Sequence, residues 1–335
     1  MRLATYNVEW FNALFDDNDQ LIEDNQWSAR YNVTRAQQSA ALGHVFRAMD
    51  ADAVVVVEAP DHSDHRSTVS ALEGFAGRHA LRTRAAIIGF SNDTQQEIAL
   101  LYDPDALRPR HAPTSLGAPR FDMAFTLDLD VDARPDPIRW SKPPIELEIV
   151  TASGRVLRLI GVHAKSKAPH GARSAKAATR IAIENRRKQL AQCIWLRQRV
   201  EAHLAKGDDL IVLGDFNDGP GLDEYEKLFG RSGVEIVLGE EGGEGEKLFD
   251  PHASQALQRK LGASPVTARF FNRETGGYLS VLLDYVMVSA GLPREPHAWR
   301  IFHPFDDPDC YNDAELRQAL LLASDHFPVV YDADL

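Results

Sequence analysis

Cysteine, net basic charge and long apolar runs are all scarce in this chain, and each scarcity excludes something. Two cysteines in 335 residues, Cys193 and Cys310, are too few for a disulfide framework or a cysteine zinc site, so both are expected as free thiols. A formal charge of −12 argues against a protein that coats duplex DNA, where affinity comes from many Lys and Arg neutralising phosphates. No apolar run approaches the roughly 20 residues that cross a bilayer, so no membrane insertion is expected. The opening MRLATYNVEW lacks a basic segment followed by a long apolar one, and a cytoplasmic location is the expectation.

What is present is globular. An apolar share of 44% with 26% charged residues is ordinary for a folded protein. No fixed-period repeat and no clear linker interrupts it, so one domain spanning residues 1–335 is expected, with no obligate protein partner implied. Basic charge is concentrated between Arg158 and Lys188, where nine basic residues face one acid, Glu184. Such a stretch in an acidic chain suggests local attraction of an anionic substrate, its outer members forming a solvated helix face.

Patterning predicts strands alternating with helices and strands paired directly. Thr34 reads as the N-cap of a helix through Asp50, whose buried stripe is Leu42, Val45, Phe46 and Met49. Ala53 to Val57 is a short, β-branched apolar run suited to a strand covered on both faces. A second helix is expected over 67–75, a long one with one break or bend over 172–206, a short one near 222–229, and another over 313–322. Strands are expected near 85–90, 97–102, 121–129, 145–150, 156–163, 210–213, 267–271, 279–288 and 327–331, with 239–247 a surface loop. This order implies two mixed sheets packed face to face, with helices outside.

The chemistry sits at strand ends. GDFND at 214–218 follows an apolar run, SDH at 324–326 precedes one, Asn7 closes RLATYN and Glu58 closes DAVVVVE. Polar side chains in such places point to a sheet rim, where ligands bind. Hard cations such as Mg²⁺ take oxygen ligands from one or two carboxylates and leave room for water and phosphate, so Glu58 is the leading candidate ligand, with Asp215, Asp325 and Asn7 around it. A calcium loop is excluded for GDFND, because Pro220 stands where the turn requires Gly and a strand precedes it. The Asp215 and Asn217 pair instead offers a carboxylate to take a proton from water and an amide to donate to a phosphate oxygen.

His326 requires a carboxylate to fix its tautomer, and Asp284 in LLDYVMV is the candidate; a purely structural Asp284–His326 pair is the alternative. His163 opens HAKSK beside Lys165 and Lys167, a grouping suited to a phosphoryl oxygen that gains charge, and Glu97 is the candidate to orient it. His62 and His65 lie in a polar loop and read as solvated. Trp10, Trp27 and Tyr31 suit packing as well as stacking on a flat group.

Taken in order, TYNVEWFNALFD, VVVVEAP, HAKSK, GDFND, LLDYV and SDHFPV resemble the endonuclease/exonuclease/phosphatase superfamily, which includes DNase I-like nucleases and sphingomyelinases. The ordered set spans Asn7 to His326. The resemblance implies a four-layer α/β sandwich and Mg²⁺- or Mn²⁺-dependent hydrolysis of phosphoesters. It also implies that Asn7, Glu58 and Asp325 belong to the metal site and Asp215 and Asn217 form the water-activating and phosphate-orienting pair. His163 and His326 would be the active-site histidines, with Glu97 and Asp284 as their orienting carboxylates. Val57 and Ala164 depart from the usual pattern, which bears on substrate choice. The leading expectation is a phosphodiesterase acting on nucleic acid or a nucleotide-like diester. The alternatives are a phosphomonoesterase on a small-molecule or lipid-headgroup phosphate, and a non-catalytic phosphate-binding module.

Overall fold

The computed structural model describes residues 1–127, 136–169, 171–219, 230–239, 242–258, 264–272 and 276–335. Its strands are β1 (Arg2–Asn7), β2 (Ala53–Ala59), β3 (Ala85–Ile88), β4 (Glu97–Tyr102), β5 (Leu107–His111), β6 (Phe125–Leu127), β7 (Asp136–Ile138), β8 (Ile145–Thr151), β9 (Val156–His163), β10 (Leu210–Asp215), β11 (Ala268–Asn272), β12 (Gly277–Val281), β13 (Asp284–Val288), β14 (Trp299–Ile301) and β15 (Val329–Asp332). The helices are α1 (Arg35–Met49), α2 (Thr68–Arg78), α3 (Ala175–Ala205), α4 (Gly233–Leu238), α5 (Pro251–Leu257), α6 (Pro308–Asn312) and α7 (Ala314–Ala323).

Six strands form one sheet in the order β14-β15-β1-β2-β4-β3, and five form the other in the order β13-β10-β9-β8-β5. The side-chain alternation of β-strands divides the first sheet between two cores. Ala4, Tyr6, Val54, Val56, Ala99 and Leu101 face the stripe of α1 and the apolar sides of α2 and α7. Leu3, Val55, Val57, Ile98 and Leu100 instead meet Leu147, Leu159, Ile211, Leu213 and Val286 of the second sheet. On that sheet's far side, Ile160, Val162 and Val212 pack against Trp195, Leu196 and Val200 of α3. The layers are therefore helices, sheet, sheet, helices, as the strand and helix order implied.

Capping follows local chemistry. Thr34 and Gln37 form a reciprocal capping box at the start of α1, and Ser67 and Ser174 cap α2 and α3. The expected break in the long helix is absent: α3 runs 31 residues without interruption. Its inner face is anchored along its length, from Gln189 on the Phe216 carbonyl to Arg199 on Glu146. The expected strand over 279–288 is two strands, separated at Leu282 and Leu283 and belonging to different sheets. Of the one over 121–129, Phe125–Leu127 forms β6, paired with β7, and 128–129 lie outside the described residues. Three strands were not expected: β5, which holds Pro109 at the edge of its sheet where a missing N–H costs little, and the three-residue β7 and β14. Within 239–247, a turn at Glu244–Glu246 is pinned by Arg197, which donates to the Glu246 carbonyl. The helix expected near 222–229, with Pro220, lies outside the described residues. Cys193 and Cys310 are both free and buried.

Gly214 is where the fold constrains sequence most tightly. Its φ is +136°, and a Cβ there would lie 2.0 Å from the Val162 carbonyl oxygen of the neighbouring strand. Gly214→Ala should destabilise the protein by about 2–5 kcal/mol, from strain plus forced separation of β9 and β10. A urea midpoint unchanged from the parent would refute this account.

Candidate active site

Register alone gathers three of the candidate residues. At the C-terminal ends of β9 and β10, His163 pairs with Asp215, and Asp215 pairs with Asp284 at the start of antiparallel β13. Three polar side chains thus stand side by side on one rim of the five-stranded sheet. The other sheet contributes Asn7 at the end of β1 and Glu58 in a bulge of β2. Asn7 Nδ2 donates to Asp215 Oδ2 at 2.9 Å, which joins the two rims. Trp10, Glu58 and Asn217 all have φ between +49° and +58°, so the backbone is strained at three non-glycine positions around this junction.

Asp215 is 1% exposed and accepts the Asn217 N–H at 2.7 Å as well as the side-chain amides of Asn7 and Asn217. Burial pushes its carboxyl up to about 7, with the charge of Asp284 adding to that, against the pull of His326 and the donated hydrogen bonds. Asp284 Oδ2 lies 2.8 Å from His326 Nδ1, and the ligand atoms of Asp215, Asp284 and His326 all lie within 4.8 Å of one another. Burial alone would lower His326, yet the charge and hydrogen bond of Asp284, with Asp215 and Asp325 nearby, hold it well above the ordinary imidazole range. His163 is the opposite case. Burial, reinforced by Lys142, His326 and Lys165, keeps it well below that range and therefore neutral.

Two residues that sequence reasoning missed stand here. Lys142 Nζ lies 3.2 Å from His163 Nδ1, and its ammonium is lowered by burial while Glu58 and Asp215 oppose that shift. Glu9 is hydrogen-bonded to the Asp325 side chain and ion-paired with Arg30, and burial followed by the Asp325 charge pushes it up to about 7. Glu58 is also raised, first by burial, with Asp325 adding to it and Lys142, His326 and the Trp10 N–H opposing. Glu58 Oε2 accepts from Gln96 at 2.9 Å and from the Trp10 N–H at 3.4 Å. Asn7 Oδ1 is buried without a hydrogen-bond partner.

That orphaned amide oxygen, and the carboxylates of Glu9, Glu58 and Asp325, which influence one another electrostatically, are oxygen donors of the kind that hard divalent cations take. The Asp215, Asp284 and His326 cluster brings its ligand atoms within 4.8 Å of one another, but Asp284 Oδ2 and His326 Nδ1 are already hydrogen-bonded to each other, which leaves it fewer free oxygen donors for a hard cation.

Three expectations are corrected. Glu97 is fully buried but accepts from Asn92 Nδ2 at 2.6 Å and from the Asn92 N–H at 3.3 Å, and no hydrogen bond joins it to His163. Asn217 directs its amide at the Ala164 carbonyl and at Asp215 Oδ2, both at 3.1 Å, so it braces Asp215 and offers no donor to a phosphate in this conformation. Lys167 does not face the site either: its ammonium lies 2.5 Å from Asp218 Oδ1, which Arg186 also holds at 3.1 Å. Lys165 stays near His163 and Lys142, close enough to depress both. Much of the basic stretch is thus spent on ion pairs, with Arg158 on Glu148 and Arg180 on Glu184 as further cases.

The sequence profile described as the Endonuclease/Exonuclease/phosphatase family matches residues 4–326. The chain belongs to this family. Members are phosphoester hydrolases that depend on a divalent metal. Solved structures share the fold across the whole chain. A humanised zebrafish (D. rerio) TDP2 with 14 mutations is 10% identical, with 100% of this chain and 99% of that one covered and a TM-score of 0.52. Truncated Caenorhabditis elegans TDP2 is 14% identical, with 99% and 97% covered and a TM-score of 0.50. A mannosyl-6-phosphatase from Bacteroides thetaiotaomicron is also 14% identical, with 100% of both chains covered and a TM-score of 0.50. No curated protein is similar enough to be matched as a relative. Among the described residues of this family member, no helix is long and apolar enough to cross a membrane.

Sequence offered a weak signal for Glu9 and none for Lys142. Glu9 follows Asn7 by two residues, the spacing that links Asp215 to Asn217, but a lone acid past a strand end reads as solvated. Lys142 reaches the rim only because the loop between β7 and β8 folds back over His163.

Proposed function

We propose that this chain is a single catalytic domain with the activity of a divalent-metal-dependent phosphodiesterase, acting on nucleic acid or a nucleotide-like diester by attack of water on phosphorus. The observation that supports it most is the convergence of two histidines on one buried carboxylate. His326, hydrogen-bonded to Asp284, and His163, beside Lys142, flank Asp215 on one rim.

In this reading Asn7, Glu58 and Asp325, joined by Glu9, hold the cation. Mg²⁺ or Mn²⁺ bound there would neutralise phosphate charge and stabilise the departing oxygen. Asp215 takes the proton of the attacking water, and its raised carboxyl gives it basicity matched to neutral pH. The bond from water oxygen to phosphorus forms as the ester bond on the opposite side breaks. His326 uses the nitrogen not committed to Asp284 to donate to a phosphoryl oxygen as charge builds there. Lys142 and Lys165 add positive charge on the His163 side, where a low-dielectric setting strengthens it.

Hydrolysis of bis-p-nitrophenyl phosphate, p-nitrophenyl phosphate, plasmid DNA and single-stranded oligonucleotides with Mg²⁺ and Mn²⁺ tests the reading. Diester turnover abolished by chelator is expected. Turnover of the monoester alone would replace the reading with a phosphomonoesterase, and chelator-insensitive binding without any turnover would replace it with a binding module. Lys142→Met should lower kcat/KM for the diester by about 10²-fold. An unaltered value would remove Lys142 from the chemistry.

A further inference from the structure

A two-stranded hairpin stands beside the histidine and has no packing explanation for its outer face. β11 and β12 pair Phe271 with Tyr278 and Arg269 with Ser280, which puts these four on one side, while Phe270 and Leu279 share the other. The hairpin is fixed to the site at its base. The Arg269 N–H donates to the Asp325 carbonyl at 2.7 Å, Ala268 bridges to His326, and the Phe270 ring lies 5.6 Å from the His326 ring.

The outer face combines a cation with flat apolar surface. The Arg269 guanidinium lies 4.2 Å from the centroid of Tyr278 and 5.1 Å from that of Phe305. Among the described residues no carboxylate pairs with it, in a chain whose arginines are otherwise extensively ion-paired. Phe271 and Tyr278 meet edge to face at 5.5 Å and remain 56% and 61% exposed. Exposed rings clustered around an uncommitted cation leave an apolar face in water unless a ligand covers it.

We propose that this hairpin is the subsite for the nucleotide adjoining the hydrolysed phosphate in a single-stranded polynucleotide, with Arg269 taking the flanking phosphate and Tyr278 and Phe271 stacking an unpaired base. The proposal rests on the phosphodiesterase reading and narrows its substrate. Ring faces of this kind stack on any base that is free of a partner, whereas duplex bases are already stacked. Duplex binding also draws on a broad cationic surface, which a net charge of −12 does not supply. One guanidinium on an aromatic platform, on a hairpin whose other face meets His326, suits a strand held by a few contacts.

The test compares Arg269→Gln, Phe271→Ala, Tyr278→Ala and Tyr278→Trp with the parent on a single-stranded oligonucleotide and on bis-p-nitrophenyl phosphate. Loss of the ring should reduce kcat/KM for the oligonucleotide by about 10- to 100-fold, leave the small diester within about twofold, and be rescued by Tyr278→Trp. Binding of fluorescein-labelled oligothymidylate in chelator, read by anisotropy, should weaken in the alanine variants, and Arg269→Gln should reduce its log–log salt slope by about 1. Equal losses on both substrates would mean that the hairpin only supports His326, and unchanged oligonucleotide kinetics would remove the subsite; either overturns the proposal. So would preferential loss of binding to phosphatidylserine vesicles, which would reassign the face to a lipid surface. If the parent hydrolyses neither substrate yet ring loss still weakens oligothymidylate binding, the phosphodiesterase reading fails and the hairpin stands as a single-strand binding face alone.

Discussion

Asp215→Asn should reduce kcat by at least about 10³-fold, some 4 kcal/mol of barrier, while leaving the fold intact. The substitution keeps the shape of a side chain that is 1% exposed and exchanges its negative charge for an amide. Two other buried carboxylates cannot replace it as a base, since Asp284 is committed to His326 and Glu97 is tied to Asn92, and His163, 3.7 Å away, stands under the opposing charge of Lys142. Burial and the like charge of Asp284 already oppose the ionised form of Asp215, so the loss of stability should be limited to that of turning one acceptor oxygen into an NH₂ that faces the donors of Asn7 or Asn217. His326→Ala should cost a comparable factor in turnover, and it also leaves the buried Asp284 without its partner, so its melting temperature should fall further than that of Asp215→Asn. Steady-state rates on bis-p-nitrophenyl phosphate with circular dichroism on the same samples check both. Full activity in either folded variant would remove that residue from the mechanism.

The rim was legible in sequence because strands of this kind announce themselves. Ala53 to Val57 had to be buried on both faces, and it lies between β1 and β4 with its side chains divided between two cores. Once such a strand is placed, the polar residue that ends it has nowhere to point but the rim, which is why Asn7, Glu58 and Asp215 could be named beforehand, while Asp284 was legible as a buried acid that needs a partner. The misses share a different cause. Lys142 depends on the path of a loop, and Glu9 on which of several acids near a strand end turns inward. Neither leaves a periodic trace. Lys167 and Arg186 read as free positive charge because their partner, Asp218, comes together with them only when the β9 and β10 loops and α3 pack. The continuity of α3 reflects a sequence rich in Ala, Arg, Leu and Gln with no Gly or Pro inside it, supported by contacts with Glu146 and Phe216.

Glu58→Gln should raise the metal concentration for half-maximal activity by about 10- to 100-fold and should also change stability with opposite signs according to whether metal is present. Without metal, Glu9, Glu58 and Asp325 bring like charges together under partial burial: Asp325 raises both of the other carboxyls, and one hydrogen bond links it to Glu9. Removing one charge relieves that repulsion, so in chelator the variant should melt at or above the parent temperature. With metal the order reverses. A ligand at 100 times its Kd stabilises the folded state by about 2.7 kcal/mol, and a variant with weakened affinity forfeits most of that. The preserved amide can still accept the Gln96 and Trp10 hydrogen bonds, so the left-handed backbone at Glu58 is not the variable. Melting curves of parent and variant in chelator, Mg²⁺ and Mn²⁺ read the crossing independently of turnover. Curves that shift in parallel under all three conditions would place the cation elsewhere, and would return Asp215, Asp284 and His326 as the group to test next.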